Sequence, residues 1–128
     1  VDDQKISEEI KTHPKVLLAR LELLLEMKRP DDGTILGESL CGLWPEEPQF
    51  HLMTAYCLRE QKQTRDALET LNKAPARFLE MPDYLYNIAC YEIQLGNLIE
   101  AKKVLTKCFD KDKRFREDAL EDPDLEPL

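Results

Sequence analysis

The chain has 128 residues and a formal net charge of −8, with 42% hydrophobic and 34% charged residues. That is one domain's length with material for a modest core. The charge sits at the ends: residues 117–128 carry −6, residues 1–13 carry −2, and the stretch between is neutral. No cluster of cations exists to hold a phosphate backbone or an anionic membrane surface, so neither nucleic acid nor membrane is a predicted partner.

Residues 1–13 form an acidic N-terminal segment. Helical apolar periodicity then predicts helices over 14–28, 31–43, 48–61, 64–75, 83–95, 98–110 and 114–121. Pro14 and Pro30 suit first-turn positions, Gly96 suits a helix end, and Asn97 with Glu100 has the spacing of a capping box. Pro45, Pro48 and Pro82 separate successive helix pairs. No stretch alternates as a strand does. The longest apolar runs, such as Val16-Leu17-Leu18-Ala19, are too short to cross a bilayer. The chain opens at Val1 with no secretory signal, which predicts a cytoplasmic location and leaves a native or a processed end open.

Sliding the chain against itself exposes a repeat. Gly33, Ala67 and Ala101 are spaced by 34 residues, as are Leu40, Ala74 and Cys108, and Leu21, Ala55 and Ala89. Small side chains at these places let antiparallel helices approach closely while Leu58, Leu68 and Leu71 interlock around them.

A repeat of this length and pattern resembles the tetratricopeptide repeat (TPR). The best copy runs from Tyr84-Leu85-Tyr86-Asn87-Ile88-Ala89-Cys90-Tyr91 through Leu95-Gly96-Asn97 to Glu100-Ala101 and Leu105. The middle copy has Lys62 where the inter-helix glycine usually lies, and the first is degenerate, with bulky Leu21 and Leu40 and a charged Arg20. The closing phrase Ala119-Leu120-Glu121-Asp122-Pro123-Asp124-Leu125-Glu126-Pro127-Leu128 is similar to the ends of small bacterial TPR proteins. The resemblance implies an all-α, right-handed superhelix of three helical hairpins, with repeats at 14–47, 48–81 and 82–112. Residues 113–128 supply a capping helix and acidic tail, in which Phe115, Ala119 and Leu120 cover the last hairpin.

The resemblance also implies a function: a non-catalytic protein–protein interaction module. Its first helices line a concave groove that binds a peptide segment of a partner. Leu18, Glu22 and Leu25 line it from the first hairpin, Leu52, Met53, Tyr56 and Arg59 from the second, and Tyr86, Asn87, Cys90 and Gln94 from the third. The competing reading of Leu52, Met53 and Tyr56 is plain core. Of the Lys and Asn residues with which chaperone-binding arrays grip a terminal carboxylate, only Asn87 is matched, and Glu22 would repel such a group. An apolar peptide, or one with a basic residue near Glu22 or Glu60, fits better.

Two alternatives remain: a self-associating scaffold or small secretion-type chaperone that forms a homodimer, and a thiol- or metal-dependent enzyme using Cys57, Cys90 or His51. Cys41, Cys57, Cys90 and Cys108 lack the close pairing of zinc ligands and read as reduced structural thiols. His51 and Cys57 are six residues apart, on different faces of their helix. No catalytic residue, metal or cofactor is predicted.

Overall fold

The computed structural model describes residues 13–116. They form α1 (Pro14–Glu26), α2 (Pro30–Leu43), α3 (Pro48–Glu60), α4 (Thr64–Lys73), a 3₁₀ helix (Ala76–Glu80), α5 (Pro82–Gln94) and α6 (Leu98–Lys111). No strand occurs among the described residues. Four helices open on proline, whose missing N–H is one that the first turn leaves unbonded in any case.

The helix ends repeat in register. Lys28, Lys62 and Gly96 have φ of 58°, 64° and 83°, and lie 34 residues apart. At each, two amides close the helix. The first three bonds run from Lys28 N to Leu25 O, Lys62 N to Arg59 O and Gly96 N to Ile93 O. The next three run from Arg29 N to Leu24 O, Gln63 N to Leu58 O and Asn97 N to Glu92 O. This is the Schellman turn, which satisfies carbonyls that the last helical turn leaves open. The predicted first helix therefore stops at Glu26 rather than residue 28, because Lys28 has left the right-handed conformation. The expected capping box at Asn97 does not form: its side chain turns back, and Nδ2 donates to Glu92 Oε1 at 3.3 Å.

Each helix packs on its neighbour in sequence, and α3 also touches both α1 and α5. The small-residue ladders lie at these contacts. Leu21, Ala55 and Ala89 are fully buried on α1, α3 and α5. Gly33, Ala67 and Ala101 are buried at the fourth position of α2, α4 and α6. Gly37, which the sequence reading passed over, marks the closest approach: a Cβ there would lie 3.0 Å from Thr54 Cβ and 3.4 Å from Thr54 Cα on α3.

Three apolar clusters follow the hairpins, centred on Leu21, Leu40 and Phe50, on Leu58, Leu71, Phe78 and Tyr84, and on Ala89, Ile93 and Leu105. The 3₁₀ helix was not expected from the sequence. It carries Phe78 into the middle cluster, with ring centroids 5.5 Å from both His51 and Tyr84. Tyr84 is fully buried, and its hydroxyl donates to Leu71 O at 2.6 Å, one of the last carbonyls of α4.

After α6 a new helical turn begins at residue 114. Asp112 Oδ1 accepts from Arg114 N at 3.0 Å. The Phe115 ring meets that of Tyr86 on α5, with centroids 5.6 Å apart and planes tilted at 46°. Ala119, Leu120 and the acidic tail lie outside the described residues.

Candidate functional site

The expected groove residues separate into two groups. Tyr56 is 40% exposed on α3. The Arg59 guanidinium lies 5.9 Å from the Tyr56 ring centroid, and its Nε donates to the side-chain amide oxygen of Gln94, 3.3 Å away on α5. Thr64 Oγ1 lies 3.4 Å from the same side-chain amide, so Gln94 ties together the facing ends of α3, α4 and α5. Tyr56 also opens onto a cleft of about 560 Å³ lined by Leu25, Glu26, Lys28, Pro30 and Glu60. The turn at Lys28 builds this cleft by ending α1 and redirecting the chain into α2.

The other residues lie outside this cleft. Leu18 and Met53 are half-buried against the first cluster, and Leu52 against the middle one. Cys90 is 8% exposed within the third cluster. Asn87 Nδ2 donates to Asp83 O at 2.8 Å, within its own helix. Tyr86 is half-buried and meets Phe115. Glu22 is exposed on α1. Leu25 and Tyr56 are therefore brought together, whereas Tyr56 and Tyr86 belong to separate surroundings.

Glu26, Lys28 and Pro30 are cleft residues missing from the predicted groove. Their signal was present in the repeat: Glu26, Glu60 and Gln94 occupy one slot at 34-residue spacing. On α5, burial pushes the Tyr91 phenol well above its usual range, with Arg59 partly opposing the shift and Cys90, Tyr56 and Glu60 adding to it. That side chain is 3% exposed and belongs to the middle apolar cluster.

No family model, curated protein or solved structure gives a significant match to this chain.

The thiol and histidine chemistry follows from burial. Cys57 and Cys108 have thiols pushed up to about 11, first by burial, and then by Glu60 for Cys57 and by Asp112 and Asp83 for Cys108. Burial also raises Cys41, against a hydrogen bond with Thr54 that lowers it. These three thiols hold their protons at neutral pH, the reverse of an activated nucleophile. All four cysteines are free of disulfides. His51 Nε2 lies 3.0 Å from Pro45 O, and since a carbonyl only accepts, that nitrogen carries the hydrogen and anchors the loop before α3. Among the described residues no group of three or more His, Cys, Asp or Glu converges as metal ligands. No helix among them is long and apolar enough to cross a membrane.

Proposed function

We propose that this chain is a non-catalytic interaction module that holds a segment of a partner protein. In this reading the three hairpins stack as a right-handed TPR-type superhelix, and α1, α3 and α5 line its concave face. The observation that carries the proposal is Tyr56, a large aromatic left 40% exposed at the mouth of a cleft with an apolar side and two carboxylates. Amphipathic aromatics beside such pockets are typical anchors of protein interfaces. Glu26 and Glu60 suit a basic side chain of the bound segment, and Leu25 and Pro30 suit its alkyl stem. A surface of this kind works by shape and charge, with no reacting group. The repeat supports the stacked arrangement, because the same turn and the same buried small residue recur in each hairpin.

Affinity capture from the source cell tests this with three baits: wild type, Tyr56→Ala and Glu60→Lys. Each bait is first checked for native circular dichroism. Partners retained by wild type and lost from both variants are the expected result. Identical partner sets on all three baits refute the groove.

A second reading has an observation of its own. Leu23, Met27, Ile35 and Leu43 are 52%, 53%, 68% and 69% exposed, all on the first hairpin. Such residues favour a self-associating scaffold or a small chaperone joined through that hairpin. Light scattering over a range of concentrations decides: a concentration-dependent mass that Ile35→Glu abolishes supports self-association, and a constant monomer mass rejects it.

A further inference from the structure

A second cleft, of about 310 Å³, lies between α4, the 3₁₀ helix, α5 and α6. On α5 it uses Leu85, Ile88 and Glu92, the opposite face from Gln94 and Cys90. It is independent of the peptide groove. Its counterpart one repeat earlier, of about 240 Å³, is lined by Leu58, Asp66, Glu69, Thr70 and Lys73. Moving those residues on by 34 gives Glu92, Glu100, Lys103, Val104 and Lys107, all of which line the later cleft. The two clefts are the same architectural place, so their differences are informative.

Three differences matter. A leucine, Leu58, is replaced by Glu92, which is only 7% exposed. Thr70 is replaced by Val104, and Glu69 by Lys103. Leu79, Leu85, Ile88 and Val104 make the later cleft's wall apolar. The carboxylates Glu92 and Glu100 lie toward the α5–α6 turn, and Lys103 and Lys107 lie farther along α6. Seven residues of helix separate Glu100 from Lys107, about 10 Å at 1.5 Å per residue. Lys107 also helps hold the Glu80 carboxyl below its usual range, behind the stronger pull of Lys111.

Burying a carboxyl where the repeat places leucine costs stability unless the charge is used or paired. Asn97 supplies one hydrogen bond. The remaining features, carboxylates toward the α5–α6 turn, lysines farther along α6 and apolar side chains beside them, match one ligand chemistry. We propose that this cleft binds a small zwitterion in which an ammonium at Glu92 and a carboxylate at Lys103 and Lys107 are joined by an alkyl stem. A free ω-amino acid and a lysine at the C-terminus of a protein share that chemistry.

Amide chemical-shift titration of the full chain with 6-aminohexanoate tests it. Saturable shifts at Ile88, Val104 and their neighbours are expected, and Glu92→Gln, which keeps the shape, weakens binding about tenfold or more. Hexylamine and hexanoate, each lacking one charge, bind less tightly than 6-aminohexanoate. A short peptide ending in lysine that binds better than its C-terminal amide assigns the site to a protein terminus. Binding of the free amino acid without the peptide assigns it to a metabolite. Absence of saturable shifts, equal affinity in Glu92→Gln, or equal binding of hexylamine overturns the proposal.

Discussion

Gly37→Ala is the sharpest test of how closely α2 and α3 approach. Alanine is the better helix former by about 1 kcal/mol, so propensity alone predicts stabilisation. Against this, the added methyl meets Thr54, whose Cβ and Cα would lie at 3.0 and 3.4 Å. Thr54 is 1% exposed and its hydroxyl donates to Phe50 O at 2.7 Å, so it has no free space to swing into and a bond to lose. Overpacking of this kind costs roughly 1–3 kcal/mol, and losing the buried hydrogen bond adds about 1 kcal/mol. The expected net effect is a loss of about 1–3 kcal/mol, read as the shift in urea midpoint at unchanged m-value. Gly42→Ala in the same helix is the control. No atom lies within 4 Å of its added methyl, so it gains about 0.5–1 kcal/mol. Gly33→Ala falls between them, because the contact it makes, 2.6 Å to Cys57 Sγ, is with a side-chain tip that can turn. If Gly37→Ala is as stable as Gly42→Ala, the described contact between these helices is wrong.

Other substitutions read other links of the same structure. Tyr84→Phe strips the hydroxyl that satisfies Leu71 O and lowers stability by about 1–2 kcal/mol in denaturant unfolding, with the fold retained by circular dichroism. Lys62→Gly relieves a left-handed lysine and raises the melting temperature, worth about 1 kcal/mol, whereas Gly96→Ala lowers it by a similar amount. The thiols of Cys57 and Cys108, raised to about 11 when folded, release their protons more readily from the unfolded chain, near the ordinary thiol value of 9.0. Their contribution to stability is therefore complete below about pH 9 and falls away as pH climbs toward 11. Steeper urea sensitivity above pH 9, reduced in Cys57→Ala, is the expected measurement; no difference between variant and parent counts against it. At neutral pH, mass spectrometry after brief iodoacetamide treatment finds Cys57 and Cys108 unlabelled until denaturant is added.

Much of the architecture was legible because burial recurs with the helical period and small residues recur with the hairpin period. Ala55, Ala67, Ala89 and Ala101 have no measurable exposure. What escaped was set by contacts between segments. Lysine is a poor sign of a left-handed turn, so Lys28 hid the end of α1, which its 34-residue spacing from Lys62 and Gly96 betrays. The 3₁₀ helix is held by Phe78 docking against His51 and Tyr84, which no local pattern announces. Gly37 resembles any weak helical position until Thr54 is placed opposite. Among the groove residues, Cys90 and Tyr86 share a face with exposed neighbours in a helical projection, but α6 and Phe115 cover them.

The order of packing along the chain has a kinetic consequence. Helices pack mainly on their neighbours in sequence, and the main helix partner of the first hairpin beyond itself is α3. Loop-closure entropy is consequently small, which places the chain among fast folders. Each hairpin can dock on its predecessor as it leaves the ribosome, and when the finished stack is strained, opening starts from an end and leaves α3 and α4 until last.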